Sequence, residues 1–149
     1  MSSGYLLDTN VVSATAPDRP PLPQSLADLL VSHSDRIFIP SLVIQELRKG
    51  IARLDRSGGH RRAERLLAWL NGLTDAYSEA IISLDAEIAL LAGRMEDAAI
   101  AAGRHPGLAD ILIAATAKAR SLVLLTANAR HFEPLDVECR NPFDVSESL

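Results

Sequence analysis

Three carboxylate side chains stand where a folded α/β chain would bury or orient acids. Asp8 ends a short apolar run, Glu46 lies in an amphipathic segment that follows Pro40, and Asp110 is the only charge in its segment before Lys118. Carboxylate oxygens are the ligands that Mg²⁺ and Mn²⁺ prefer, with waters completing the shell. We therefore predict that Asp8, Glu46 and Asp110 together hold a divalent cation.

Apolar runs alternate with helical patterns along the chain. Strands are predicted at 5–7, 36–39, 80–83 and 122–125, with a weak fifth strand at 136–139. Helices are predicted at 24–31, from a Ser41 N-cap to the break at 57–59, at 60–73, from 85 to about 102, and at 108–119. Strands separated by helices indicate βαβ units, so we expect an α/β fold around a mainly parallel sheet of four or five strands.

The predicted elements place the acids at one edge of that sheet. Asp8 directly follows the first strand, and Asn128 follows the fourth. Glu46 lies about two helical turns beyond the second strand, and Asp110 starts a helix. Ligands of parallel α/β sheets collect at the carboxyl ends of the strands, so all four side chains could line the same cleft.

Bringing three carboxylates together is unfavourable without a compensating charge. Two carboxylates about 5 Å apart repel by roughly 3 kcal/mol at an effective dielectric near 20, so three pairs would cost on the order of 10 kcal/mol. A divalent cation offsets this repulsion, and so does protonation. With a cation, the chemistry available is activation of water for attack on a phosphodiester.

Each acid also has a purely structural explanation. A polar residue at a strand end often caps the next helix, a role open to Asp8 or Asn10. Asp110 could interact with the positive end of its own helix, and Glu46 alone is most often a solvated helix residue. These alternatives stay open residue by residue, but the coincidence of three acids at one edge favours the cation site.

Length and composition are those of one globular domain over residues 1–149. Hydrophobic residues make up 48% and charged residues 23%, which excludes a disordered or fibrous chain. The single cysteine, Cys139, cannot form an intrachain disulfide, the N-terminus lacks the basic region of a signal peptide, and no apolar run approaches ~18 residues. We therefore expect a cytoplasmic protein that does not associate with a membrane.

Four sequence words occur in an order and spacing that are specific when taken together. The words are LDTN at 7–10, IQEL at 44–47, ADILIAATA at 109–117 and TANARHF at 126–132. They resemble the PIN-domain ribonuclease family, and within it the VapC/FitB-type toxins of bacterial toxin–antitoxin pairs. The resemblance extends from Tyr5 to about Pro142.

The resemblance implies a three-layer α/β/α sandwich and a Mg²⁺-dependent, or Mn²⁺-dependent, endoribonuclease. Asp8, Glu46 and Asp110 match the family's acidic metal-binding positions, and Thr9 matches a polar residue beside the first acid. Asn128 stands where many PIN domains carry Asp. Asparagine at this position is similar to FitB-like members, so we include Asn128 among the catalytic residues. His131 stands where a further Asp is common, and we assign it to substrate binding. Asn128 lowers the formal site charge by one, which weakens the case for a second metal ion.

The resemblance also implies partners. They are an RNA substrate, a cognate VapB/FitA-like antitoxin that covers the cleft, operator DNA reached only through the antitoxin, and a second copy of the chain in a homodimer. An arginine from the antitoxin would pair well with carboxylates that otherwise bind metal.

Basic residues are concentrated in one part of an acidic chain. The formal charge is −4, yet seven of the fifteen Lys and Arg residues lie between Arg48 and Arg65, against two acids. This stretch follows Glu46, so we expect it, with Arg48 and Lys49 first, to hold the phosphate backbone of RNA. A solvated helical hairpin is the alternative explanation of the same charges.

Two other functions compete with RNA hydrolysis. Phosphoryl transfer through an aspartyl phosphate would use Asp8 as the nucleophile, but position 10 is Asn where that chemistry would want a second Asp. The chain also lacks a Gly-rich phosphate loop. The third possibility is a non-catalytic PIN-like subunit that binds a partner or represses within a DNA-binding complex, weakened for catalysis by Asn128.

Overall fold

A parallel sheet forms the centre of the molecule. The computed structural model describes residues 4–144, 146 and 149, and within them the sheet has five strands. The strands are β1 (Tyr5–Leu7), β2 (Ile37–Pro40), β3 (Ile81–Ile82), β4 (Val123–Leu125) and β5 (Cys139–Arg140). Their spatial order is β3-β2-β1-β4-β5, and every neighbouring pair is parallel. The predicted parallel sheet is therefore confirmed, at the upper of the two predicted strand numbers.

Helices flank the sheet and complete the predicted three-layer α/β/α sandwich. They are α1 (Thr9–Ser13), α2 (Gln24–Ser32), α3 (Ser41–Arg56), α4 (His60–Ala76), α5 (Ala86–Ala101), α6 (Leu108–Ala119) and α7 (Ala129–Phe132). None of the helices in the described part of the chain is both long enough and apolar enough to cross a bilayer.

The core lies where β1 and β4 pair at the middle of the sheet. Leu6, Leu124 and Leu125 are completely buried there. Helix α6 packs with Ile111 and a run of small residues almost fully enclosed, as its nearly uncharged sequence predicts. Each large aliphatic side chain buried in this way stabilises the fold by about 1.5–3 kcal/mol. This packing fixes the strand ends from which the candidate site is built.

Several boundaries differ from the predictions by one to three residues, and two of these differences have a clear structural cause. The fifth strand was expected at 136–139 but is formed by Cys139–Arg140. Asp136 instead ends a short 3₁₀ turn with a left-handed backbone (φ 54°), so the chain cannot extend until after it. Ser41 was expected to cap α3, but it is the first helical residue and Pro40 occupies the capping position without a side-chain bond.

Helices α3 and α4 form a hairpin with its own small apolar cluster. Ile51, Ala63 and Leu70 are buried between the two helices. The hairpin carries the basic stretch between Arg48 and Arg65, and its first helix also carries Glu46. The α3–α4 hairpin therefore carries both an acid of the candidate site and the stretch of the chain with the most basic residues.

Candidate functional site

The candidate site lies where the strand order reverses. From β1 the chain continues to β2 on one side, whereas β4 pairs with β1 on the other and leads on to β5. A crevice opens at such a point, outside the carboxyl ends of the two strands, and it is the usual ligand position in open α/β sheets. Asp8 follows β1 at this point, and Thr126 follows β4.

Asp8 is the most constrained of the three acids. Its residue is only 6% exposed. Its Oδ2 accepts a hydrogen bond from the Thr126 hydroxyl at 2.7 Å, and its Oδ1 accepts one from the Thr9 backbone N–H at 2.7 Å. Asp8 is thus the N-cap of α1, so the capping role considered for it is real. Both carboxylate oxygens are held in fixed directions by donors.

The environment of Asp8 opposes its ionisation. Burial is the main cause that raises the pKa of this carboxyl, and the negative charges of Asp110 and Glu46 raise it further. The hydrogen bonds from Thr126 and Thr9 act in the opposite direction but do not outweigh these effects. The three acids, separated by up to 102 positions in the sequence, therefore lie close enough to interact electrostatically.

Glu46 is attached to the same corner through Thr9. The Thr9 hydroxyl donates to Glu46 Oε1 at 2.8 Å, which joins the start of α1 to the second turn of α3. Glu46 is half-buried, as expected for a residue at the margin of the apolar face of its helix. Thr9 therefore contacts two of the predicted acids, donating to Asp8 through its backbone and to Glu46 through its side chain.

Asp110 is paired with His131. The Nε2 of His131 lies 2.8 Å from Asp110 Oδ2, and the Asp110 side chain is 32% exposed. His131 belongs to α7, which follows β4, whereas Asp110 lies in the first turn of α6. The contact joins the two elements that border the crevice on this side.

A large cavity opens beside Asp110. Its volume is about 1090 Å³, and it is lined by Asp110, Ala127, Asn128, Ala129, Arg130, His131, Glu133, Asn141 and Asp144. Asp8 and Glu46 are not in its lining. The exposed Asn128 is, and its backbone N–H donates to the Thr126 hydroxyl at 3.0 Å. Of the three acids, Asp110 therefore borders an open volume that a polymeric ligand can enter.

The three acids share an edge without forming a ready-made cage. In the described part of the chain, no three histidine, cysteine, aspartate or glutamate side chains are arranged to hold a metal ion. Each acid is instead engaged by a neighbour: Asp8 by Thr126, Glu46 by Thr9 and Asp110 by His131. Joint metal binding by these residues therefore stays a prediction.

Thr126 and Asn10 shape the site but were not among the predicted site residues. The Thr126 hydroxyl is fully buried and bonds to Asp8, while Asn10 Oδ1 accepts from the Ala127 backbone N–H at 2.9 Å. The Asn10 Nδ2 also lies 3.4 Å from Asp8 Oδ2. Thr126 directly follows β4, and Asn10 lies two residues after Asp8 in α1, so closeness to a strand end was the available signal. Together they tie the end of β1 to the end of β4.

The predicted RNA-contacting residues of α3 are exposed but point in different directions. At 3.6 residues per turn, Lys49 is about 60° from Glu46 around the helix, whereas Arg48 is about 160° away. Neither forms an ion pair with a described residue, while Arg65 of the same hairpin pairs with Asp18 at 2.7 Å. Only Lys49 of the two therefore shares the face that carries Glu46.

Comparison with known proteins gives consistent similarities. The model of the PIN domain family matches residues 5–137. Toxin FitB of Neisseria gonorrhoeae (strain ATCC 700825 / FA 1090) is 31% identical over 143 residues, which cover 93% of this chain and 97% of FitB. The tRNA(fMet)-specific endonuclease VapC of Shigella flexneri is 27% identical over 129 residues, covering 87% and 89% of the two chains.

A solved structure extends the similarity to three dimensions. The crystal structure of FitAcB from Neisseria gonorrhoeae contains a chain that is 29% identical and superposes with a TM-score of 0.81. The match covers 95% of this chain and 99% of that one. The likeness therefore includes the whole sheet and the elements that carry the candidate site.

Proposed function

Because this chain belongs to the PIN-domain family, we propose that it is the toxin of a toxin–antitoxin pair and acts as a divalent-metal-dependent endoribonuclease. The observation that supports this best is the meeting of Asp8, Glu46 and Asp110 at the strand-order reversal, where burial first, and then the charges of Asp110 and Glu46, raise the pKa of Asp8. Packing of the hydrophobic core does not require three carboxylates close to one another. A bound divalent cation would offset the repulsion between the three charged carboxylates.

The residues present fit a hard divalent cation. Asp8, Glu46 and Asp110 offer carboxylate oxygens only, and Mg²⁺ in proteins is commonly held by one or two carboxylates with waters in the other positions. The absence of a tight cage among the described side chains matches that mode better than an all-protein site. When bound, Mg²⁺ or Mn²⁺ lowers the pKa of water and stabilises charge on a phosphodiester.

The neighbouring residues keep the acids in usable positions. Thr126 and the Thr9 backbone favour the ionised form of Asp8, while the Thr9 hydroxyl orients Glu46. His131 holds Asp110 from the opposite side. We assign Asn128, which borders the large cavity, to contact with the reacting phosphate or its water, where an amide can both donate and accept hydrogen bonds.

RNA is the substrate class that we propose. The relative from Shigella flexneri is a tRNA(fMet)-specific endonuclease by name, which supports RNA for this chain as well. Contact with the backbone would rely on charge, since aromatic residues make up only 4% of the sequence and offer few stacking surfaces. Lys49 and Arg48 on α3, with His131 on α7, are the residues proposed to contact RNA.

The proposed partners are a VapB/FitA-like antitoxin, with operator DNA bound only through it, and a second copy of the chain. Leu90, Leu108 and Leu84, which are 73%, 66% and 51% exposed, are the residues that we propose to contact a protein partner. A cytoplasmic protein that folds as one domain accords with these roles.

Cleavage of structured RNA tests the proposal. Purified, antitoxin-free protein is incubated with RNA in Mg²⁺, Mn²⁺ or EDTA, alongside Asp8→Asn and Asp110→Asn. Removal of one electrostatic stabiliser typically costs at least about a hundredfold in rate, so we expect each variant and EDTA to suppress cleavage by that factor or more. Asp35→Asn, an exposed acid at the opposite edge of the sheet, serves as the matched control and should cleave normally.

Cleavage that persists in EDTA, or that survives both substitutions, would contradict the metal mechanism. Metal-dependent RNA binding without cleavage of any tested RNA would instead favour a non-catalytic partner-binding subunit. In that case, the neutral Asn128 would be the residue that explains the loss of catalysis.

A further inference from the structure

A second cavity lies next to the acid edge and has the opposite character. Its volume is about 300 Å³, and we call it the basic cavity; it is lined by Arg104, His105, Pro106, Arg130, His131, Pro134 and Leu135. Two guanidinium groups and two imidazoles surround it, and no carboxylate is in its lining. In a chain of formal charge −4, this is a local surplus of positive charge.

The walls of the basic cavity are tied to each other. Arg104 lies in the loop between α5 and α6, and its Nη1 donates to the backbone carbonyl of Pro134 at 3.2 Å. Its backbone N–H donates to Ala99 at 2.9 Å, which anchors the loop to the end of α5. The loop is therefore held against the segment that follows α7, so the cavity is formed before any ligand arrives.

The basic charges are only partly balanced. Arg130 lies near Asp144, whose pKa is lowered first by hydrogen bonds from Ser146 and then by the Arg130 charge. His131 contacts Asp110. Arg104 and His105 form no ion pair with a residue in the described part of the chain. Arg104 in particular keeps guanidinium N–H groups available, and that fork matches the oxygens of a phosphate.

The two cavities share two of their lining residues. Arg130 and His131 border both the basic cavity and the larger cavity that contains Asp110. A ligand that crosses these two residues would pass from carboxylates to guanidinium groups within one site. A nucleic-acid strand has the repeating anionic charges that such a surface needs, whereas a compact anion would occupy one half only.

We infer that the basic cavity binds a backbone phosphate of the RNA next to the phosphate that is cleaved, with Arg104 as its principal contact. This inference rests on the proposed function. The cavity is formed by elements other than the α3–α4 hairpin, so it adds a second point of attachment. Arg104 is a positioning residue, because it places the strand relative to Asp110 without reaching the reacting atoms.

Binding of a labelled single-stranded RNA oligonucleotide tests the inference, measured over a range of salt concentrations with Ca²⁺ present as a divalent cation that takes carboxylate ligands. Loss of a hydrogen bond to a charged group predicts that Arg104→Glu binds about tenfold to a hundredfold more weakly. Loss of one phosphate contact on a single strand should also reduce the slope of log K against log salt by about 0.7. Arg104→Lys keeps the charge and should recover most of the affinity, which separates charge from folding. Arg36→Glu, the same charge change at the amino ends of the strands, should match the wild type.

Cleavage kinetics and a competing polyanion complete the test. With Mg²⁺ present, Arg104→Glu should raise KM with little change in kcat, since a phosphate bound equally in the ground and transition states affects binding alone. If the wild type binds RNA and Arg104→Glu binds it with the same affinity and the same salt slope, the inference is overturned and the proposed function stands. If the binding of polyglutamate depends on Arg104 as strongly as the binding of RNA does, the inference is also overturned, in favour of an acidic protein ligand. Failure of the wild type to bind any RNA would overturn the proposed function together with it.

Discussion

At the residue scale, Asp8 is subject to opposing influences. It caps α1 and accepts hydrogen bonds from Thr126 and Thr9, all of which favour the carboxylate. Burial and the nearby acids act more strongly and raise its pKa. A group whose ionisation is opposed in the folded protein destabilises the fold when it is charged. Asp8 is therefore expected to be retained for binding or catalysis at the expense of stability.

Substitution of Asp8 should make the metal-free protein more stable at neutral pH. Because the folded pKa is raised, the stability contributed by the carboxyl is full below its unfolded value near 3.8 and is lost as the pH rises through the folded pKa. Asp8→Asn avoids this loss. We expect the melting temperature of Asp8→Asn in EDTA at pH 7 to exceed that of the wild type by about 2–4 °C for each kcal/mol gained by removing the buried charge. The difference between the two proteins should shrink towards pH 4.

Thermal melts of both proteins from pH 4 to pH 8 measure this effect. Asp35→Asn, which changes an exposed acid, is the control and should follow the wild type throughout. A variant that is less stable than the wild type at pH 7 would show that the hydrogen bonds of Asp8 outweigh its burial.

The sequence reveals the acids more readily than the groups that hold them. Asp8 and Asp110 are identifiable because a carboxylate in an apolar context is unusual, and Glu46 because it lies at the margin of the apolar face of its helix. Thr126 at the end of β4 and Asn10 in the first turn of α1 are ordinary polar residues, and their roles depend on the pairing of β1 with β4. That pairing joins positions more than a hundred residues apart, so local pattern alone does not identify it.

At the element scale, most helices and strands follow from local pattern. Helix α6 is predicted from its uncharged run, and α5 begins directly after Asp85, whose side chain caps Ile88 at 2.9 Å. The fifth strand is misplaced because the left-handed Asp136 has no signal of its own in the sequence. The strand order is likewise set by tertiary packing, since each strand is short and none specifies its neighbour.

The periodicity of helix α3 leads to a prediction about the two basic residues that follow Glu46. Lys49 lies on the same side as Glu46, and Arg48 lies about 160° from Glu46. If the Glu46 face borders the RNA, charge reversal at Lys49 should weaken binding and lower the salt slope by about 0.7 to 1. Arg48→Glu, two positions away from Glu46 on the same helix, should have a smaller effect.

Fluorescence anisotropy with labelled RNA at several salt concentrations compares the two variants. Equal effects would indicate that the hairpin attracts RNA through its total charge and not through one face. No effect of either would favour the solvated hairpin considered for this stretch.

At the scale of the whole molecule, charge is segregated around one edge of the sheet. The acids lie at the strand-order reversal, the basic cavity adjoins Asp110, and the α3–α4 hairpin carries the densest basic stretch on the side of Glu46. On the proposed function, this placement of positive charge would let an acidic protein attract an anionic polymer to the site. The arrangement favours binding of the proposed substrate only when Asp8, Glu46 and Asp110 hold a cation, since otherwise these acids would repel it.

Direct binding of Mn²⁺ or Mg²⁺ tests that dependence most directly. Titration calorimetry and thermal shift are measured on the wild type, Asp8→Asn, Glu46→Gln and Asp110→Asn, with Asp35→Asn as the control. We predict saturable binding by the wild type and the control, with stabilisation of about 2.7 kcal/mol at a metal concentration one hundred times Kd, and a marked loss of both in each of the other three variants. Metal binding of the same affinity in all five proteins, or none in the wild type, would contradict the central claim that Asp8, Glu46 and Asp110 share one cation.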